Sequence, residues 1–205
     1  HYYGFGDFEK DMFKSKKVKI EKYIPTGSIK MAAFVSKYNN WISNCNKKKQ
    51  VCLVSQFRVS MLKNKDQLQN DFHKILKQIY LYLVIWSDKR NVKLVIALFY
   101  NHDVQAHKDE LNFYQEGLEN YTHIEYAANK HTEMFSYKLG IESEVVVGID
   151  STLSYELFGY GCKLLNCVGA DKDFLHRWGS VGNISKMPKL VLLEQLKSNH
   201  FEERS

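Results

Sequence analysis

From Val51 onward the chain alternates short apolar runs with longer stretches in which apolar residues recur every three or four positions. This is the pattern of strands and of helices lying on a sheet. Residues 51–55 predict a first strand. A helix follows over 66–86, with Leu68, Phe72, Ile75, Leu76, Ile79, Leu83 and Val84 on one face. Residues 92–98 predict a second strand, 109–118 a second helix, 123–126 a third strand, 132–139 a third helix with Thr132 as N-cap, and 145–149 a fourth strand. A helix over 152–158 is stopped by Gly159 and Gly161, a fifth strand covers 163–167, and a last helix spans 187–199 with Pro188 in its first turn. The fold class expected is α/β, a Rossmann-like doubly wound parallel sheet. Ligands of such sheets bind beyond the C-terminal strand ends, here residues 55–58, 99–103, 127–131, 150–152 and 168–178.

The first fifty residues read differently. A strand over 2–5, a helix over 7–13 and a strand over 18–23 precede a turn at Pro25-Thr26-Gly27-Ser28, and a polar stretch over 39–50 leads to the main unit. We expect residues 1–48 to be the tail of an N-terminal domain with its linker, a small strand–helix–strand remnant, and residues 49–205 to be the Rossmann-like domain. The chain opens on His1 with no basic-then-apolar leader, which suggests an excised piece.

Composition narrows the class. With 44% hydrophobic and 25% charged residues the chain is an ordinary globular protein rather than a disordered one. No apolar run approaches the roughly 18 residues of a membrane-spanning helix. Cys45, Cys52, Cys162 and Cys167 lack CxxC spacing and lie in or beside apolar runs, as reduced core thiols of a cytoplasmic protein do. The net charge of +6 gathers at Lys14, Lys16, Lys17 and Lys19 and at Lys47, Lys48 and Lys49. Such clusters suit solvated loops, or peripheral association with the inner face of a membrane or with an anionic glycan. No nucleic-acid motif accompanies them, so nucleic acid is not an expected partner.

Candidate chemistry concentrates in Val145-Val-Val-Gly-Ile-Asp-Ser-Thr-Leu-Ser-Tyr-Glu156, an apolar strand running into a helix start. The first amides of a helix are unpaired and its dipole is positive there, so Ser151, Thr152 and these amides can converge on a phosphate, with Glu156 one turn on to accept from ribose hydroxyls. The same residues also make an ordinary N-cap at Ser151 or Asp150 with Glu156 on a solvated face. Ser55, Gln56 and Arg58 follow the first strand on the opposite lip, where Arg58 can fork onto a diphosphate or be a plain loop residue. His102, His107, His131 and His176 fall in or near strand-end loops without the pairing that would support a metal. No G-x-G-x-x-G, P-loop or G-x-S-x-G motif is present.

Gly4-Phe-Gly-Asp-Phe-Glu-Lys-Asp-Met-Phe13, Ile24-Pro-Thr-Gly-Ser28, Cys52-Leu-Val-Ser-Gln-Phe-Arg58, Leu94-Val-Ile-Ala-Leu98, Glu110-Leu-Asn-Phe-Tyr114, Ser136-Tyr-Lys138 and residues 146–156 resemble, in order and spacing, surface-carbohydrate biosynthesis proteins with a GT-B-like fold. The resemblance implies a glycosyltransferase-type, donor-binding C-terminal half, with an acceptor domain of which residues 1–38 are the end. It implies that Ser151 and Thr152 hold the donor phosphate and Glu156 the ribose, that Ser55, Gln56 and Arg58 line the other lip, and that the general base lies on the first domain or in the cleft. A nucleotide-sugar substrate, a glycan or lipid-linked acceptor, no cofactor and no metal site are implied with it. Phe99 stands where an arginine is expected. An epimerase or phosphotransferase of the same shape, or a non-catalytic binding module, fits the same pattern.

Overall fold

The computed structural model describes residues 1–4, 6–59, 67–102, 104–118, 120–130, 133–149 and 151–167. Two sheets form. Strands β1 (Tyr2–Gly4) and β2 (Tyr23–Pro25) pair in parallel around helix α1 (Asp7–Ser15). After α2 (Ile29–Ser43) come β3 (Lys48–Val54), α3 (Gln67–Arg90), β4 (Lys93–Ala97), α4 (Gln105–Gln115), β5 (Ile124–Ala127), α5 (Phe135–Glu142), β6 (Ser143–Gly148), α6 (Thr152–Gly159) and β7 (Leu164–Asn166). The five later strands lie in the order β5-β4-β3-β6-β7, all parallel, as the expected Rossmann-like sheet requires.

Both faces of this sheet are covered, which is why its strands read as nearly continuous apolar runs. Val51, Leu53, Leu94, Ile96 and Val147 point toward one side, into a core with Phe72, Leu76, Ile79, Tyr80 and Leu83 of α3 and Tyr114 of α4. Val54 and Val146 point to the other side and meet Met31 and Phe34 of α2, Tyr137 and Ile141 of α5 and Leu157 of α6. Helix α3 closes at Asn91, which takes the left-handed conformation (φ 50°) that asparagine tolerates, with Lys89 and Arg90 in the last turn against the negative end of the dipole.

Several expectations shift. The stretch over 39–50, read as a polar linker, is the end of α2 and the start of β3, joined by residues 44–47. Asn39 and Asn40 sit on the solvent side of α2 and gave the segment its polar look. No strand runs over 18–22. Lys17 turns the chain at φ 55° and the Val18 amide bonds to the Phe13 carbonyl at 2.9 Å, so α1 ends in a closed turn and β2 begins only at Tyr23. Helix α4 starts at Gln105, four residues early, and α5 starts after Met134, itself left-handed at φ 49°. Thr132 and the helix expected over 187–199 lie outside the described residues.

Phe34 is fully buried and stacked on Tyr137 at 5.2 Å, so α2 packs against the larger sheet's covering helices. Phe34→Ala should lower the stability measured by urea unfolding by about 3–5 kcal/mol. An unchanged midpoint would mean that α2 docks without contributing to the cooperative fold.

Candidate functional site

Strand order reverses between β3 and β6, and these two strands are direct neighbours, with Leu53 opposite Val147. The chain therefore leaves β3 into residues 55–58 and leaves β6 into the start of α6 on the two sides of one crevice. This is the place where open α/β sheets bind ligands.

On the β6 side, Gly148 lets the first turn of α6 approach the strand end closely. A Cβ there would stand 2.1 Å from Ser154 Oγ and 3.0 Å from its Cβ. Ser154 is fully buried, and its hydroxyl has no hydrogen-bond partner among the described residues. Ser151 is the N-cap by backbone geometry (φ −94°, ψ 132°), yet its side chain makes no capping bond. The helix start is thus left without the side-chain acceptor that an N-cap serine ordinarily supplies. Thr152 is exposed beside it. Glu156 is not on a solvated face. It is 7% exposed, its Oε1 accepts from Ser28 Oγ at 2.6 Å and its Oε2 from the Tyr137 hydroxyl at 2.5 Å.

On the β3 side, Ser55 faces inward. It donates to Glu110 Oε1 at 2.5 Å and accepts from the Tyr114 hydroxyl at 2.9 Å and from the Phe57 amide at 3.2 Å. Glu110 in turn accepts the Phe99 amide at 2.9 and 3.1 Å and the Tyr100 amide at 3.0 Å. One carboxylate from α4 thus ties the loop after β3 to the loop after β4. Burial pushes the Glu110 pKa up, against the opposing pull of the Phe99 amide, the Ser55 hydroxyl, the Tyr100 amide and the nearby Arg58 charge. Gln56 and Arg58 are half-buried. The Arg58 guanidinium lies 3.6 Å from the centre of the Phe99 ring, and its Nη1 is buried without a hydrogen-bond partner. Phe99, standing where an arginine was expected, holds an arginine from the neighbouring loop instead.

The remaining candidates separate. His102 and His107 face each other with ring centres 4.8 Å apart, and burial, reinforced by His102, lowers the His107 pKa, which favours its neutral form. His131, His176, Asp150 and residues 168–178 lie outside the described residues. Cys52, Cys162 and Cys167 are buried, and burial raises each thiol pKa, to about 12 for Cys52 and Cys167. Among the described residues no group of three His, Cys, Asp or Glu side chains is placed to hold a metal, and no helix is long and apolar enough to cross a membrane. Sequence reasoning gave no role to Glu110, Ser28 or Tyr137. Each stood inside a motif of the resemblance, but nothing local in the sequence marks a buried acceptor or its distant donors.

Residues 11–173 match a family described as "putative O-antigen biosynthesis protein". The chain belongs to this family. Membership places it in surface-carbohydrate biosynthesis. No curated protein matches the chain. Among solved structures, UDP-GlcNAc 2-epimerase from Neisseria meningitidis, bound to UDP-GlcNAc, is similar over 98% of this chain with a TM-score of 0.57 and 16% identity. This chain covers 53% of that one, so the likeness concerns about half of the epimerase and shows a shared GT-B-like fold.

For this member of the O-antigen family the lock made by Glu110 is directly testable. Glu110→Ala leaves two loop amides and the Ser55 hydroxyl without their acceptor, and should cost about 2–5 kcal/mol in thermal or urea unfolding. Glu110→Gln, which keeps one acceptor oxygen, should cost less. Equal losses would mean that the amide contacts do not hold the loops.

Proposed function

We propose that the chain binds a nucleotide-sugar in the crevice between β3 and β6 and serves the transfer of its sugar to a growing surface glycan or lipid-linked acceptor. The observation that carries this reading is the start of α6. It is a helix N-terminus at the strand-order reversal, with Ser151 at the cap making no capping bond from its side chain, Thr152 exposed beside it and, among the described residues, no partner for the Ser154 hydroxyl in the first turn. A phosphate there would meet helix amides with partial positive charge and two hydroxyl donors. Glu156, one turn further on, would accept the ribose hydroxyls. From the opposite lip Arg58, lying over the Phe99 ring, would present its guanidinium to the second phosphoryl group, with Gln56 beside it and Ser55 holding the loop from within. As the glycosidic bond breaks, negative charge grows on the diphosphate, and donors already in place stabilise it without reorganising. The nucleotide-sugar is the substrate, and no cofactor enters the step.

The likeness to an epimerase favours a second reading, in which the same bound nucleotide-sugar is inverted at one sugar carbon rather than transferred. Analysis of products separates the two: a new glycosidic linkage in one case, an isomeric nucleotide-sugar in the other.

Thermal-shift titration against CMP, CDP, UDP, GDP and ADP tests the shared premise. At a hundred times the dissociation constant a bound nucleotide should stabilise the fold by about 2.7 kcal/mol. Ser151→Ala should weaken that nucleotide roughly ten- to a hundredfold, the loss of one hydrogen bond to a charged group. No shift with any nucleotide would overturn the reading in favour of a non-catalytic module.

Peripheral association with an anionic surface is part of the same proposal. It is supported by the closed turn after α1, where Lys16, Lys17, Lys19 and Lys22 are exposed around Val18, itself 47% exposed. With about 1 kcal/mol per lysine at such a surface, the chain should pellet with phosphatidylglycerol vesicles at low salt and not with phosphatidylcholine. Lys16→Glu/Lys17→Glu/Lys19→Glu should abolish pelleting, and equal pelleting by the variant would sink the assignment.

A further inference from the structure

Glu156 is held by two hydroxyls that come from outside its own helix. Ser28, the cap of α2, reaches it across 128 residues of sequence, and Tyr137 reaches it from α5. Both donors are themselves constrained. Ser28 Oγ accepts the Met31 amide at 3.0 Å, which satisfies the cap of α2 and leaves the hydroxyl proton for the carboxylate. The Tyr137 ring is stacked on Phe34 with an interplanar angle of 19°. Its helix is seated directly on α6 at Gly140, where a Cβ would lie 2.4 Å from Leu157 Cδ1. Burial, and then the bond to Glu156, raises the Tyr137 pKa, so the phenol keeps its proton and remains a donor.

An ionised carboxylate offers about four acceptor positions, two on each oxygen. Among the described residues Ser28 takes one on Oε1 and Tyr137 one on Oε2, which leaves one on each oxygen for a ligand. Two adjacent acceptors match the cis-2′,3′-diol of a ribose, which has two neighbouring hydroxyls to donate. The last torsion of a glutamate side chain is broad and roughly two-fold, so without fixed partners the carboxylate plane would turn and lose that match. We propose that Ser28 and Tyr137 are positioning residues for ribose recognition, holding the Glu156 carboxylate in the plane that accepts both ribose hydroxyls. The proposal rests on the reading of Glu156 as the ribose acceptor. It adds that discrimination between ribo- and deoxyribonucleotides is set partly from α2 and α5.

The test is calorimetric titration of the chain with UDP and 2′-deoxy-UDP, or with the corresponding pair for whichever base gives the largest thermal shift. The unaltered chain should favour the ribonucleotide by about tenfold or more, the worth of a hydrogen bond to a charged acceptor. Tyr137→Phe and Ser28→Ala should each shrink that ratio by about threefold or more, weakening the ribonucleotide, which has two hydroxyls to lose, more than the deoxynucleotide, which has one. Ser28→Thr, which keeps both cap and donor, should preserve the ratio and decides the matter should Ser28→Ala or Tyr137→Phe fail to fold. A ratio unchanged in Tyr137→Phe and Ser28→Ala, or lost in Ser28→Thr, overturns the positioning role while leaving nucleotide binding intact. Nucleotide binding with no ribose preference, unaltered by Glu156→Gln, overturns the role of Glu156 itself. Absence of any binding overturns both.

Discussion

The pairing of β3 with β6 is the constraint on which the rest of the molecule depends. These strands are distant in sequence yet adjacent in the sheet, and the reversal of strand order between them opens the crevice. The register that sets Leu53 opposite Val147 also sets the loop carrying Gln56 and Arg58 opposite the start of α6. Gly148 belongs to the same constraint, since any side chain there would drive Ser154 and the helix start away from the strand end. The covering helices follow from it too, because a central parallel pair is stable only with both faces buried.

Two buried carboxylates then organise the two lips in the same way. Glu110 gathers the loop amides of Phe99 and Tyr100 and the hydroxyl of Ser55. Glu156 gathers the hydroxyls of Ser28 and Tyr137. A carboxylate buried without such partners would be costly, and with them it becomes a node joining separate elements. The node at Glu156 also joins the crevice to the N-cap of α2, the helix that follows the small β1–β2 sheet.

Much of this architecture was legible in the sequence, for identifiable reasons. The five strands stood out because both of their faces are apolar, and the crevice followed from strand alternation alone. α2 went unread because its outward face is polar at Asn39 and Asn40, while Met31 and Phe34 are the residues buried on its other side. The strand expected over 18–23 begins only at its last residue, Tyr23, because the left-handed turn at Lys17 closes α1 first. At the site, the serines and Glu156 could be placed from their position at a strand end. Their partners could not, since Ser28 and Ser55 meet Glu156 and Glu110 only after long stretches of chain have folded back.

The contact between Arg58 and Phe99 carries an entropic consequence. An exposed arginine samples many rotamers, and ordering it on a ligand costs as much as 2 kcal/mol, by the usual scale of about 1.5–2 kcal/mol for long side chains. Here the Arg58 guanidinium already lies over the Phe99 ring, 3.6 Å from its centre. Lysine could not inherit this arrangement, because a compact ammonium has no plane to lay on the ring and no edge to aim across the crevice. On the proposed reading of Arg58 as a phosphate contact, Phe99 is a preorganising surface: the cation comes from one strand's loop and its orientation from the next.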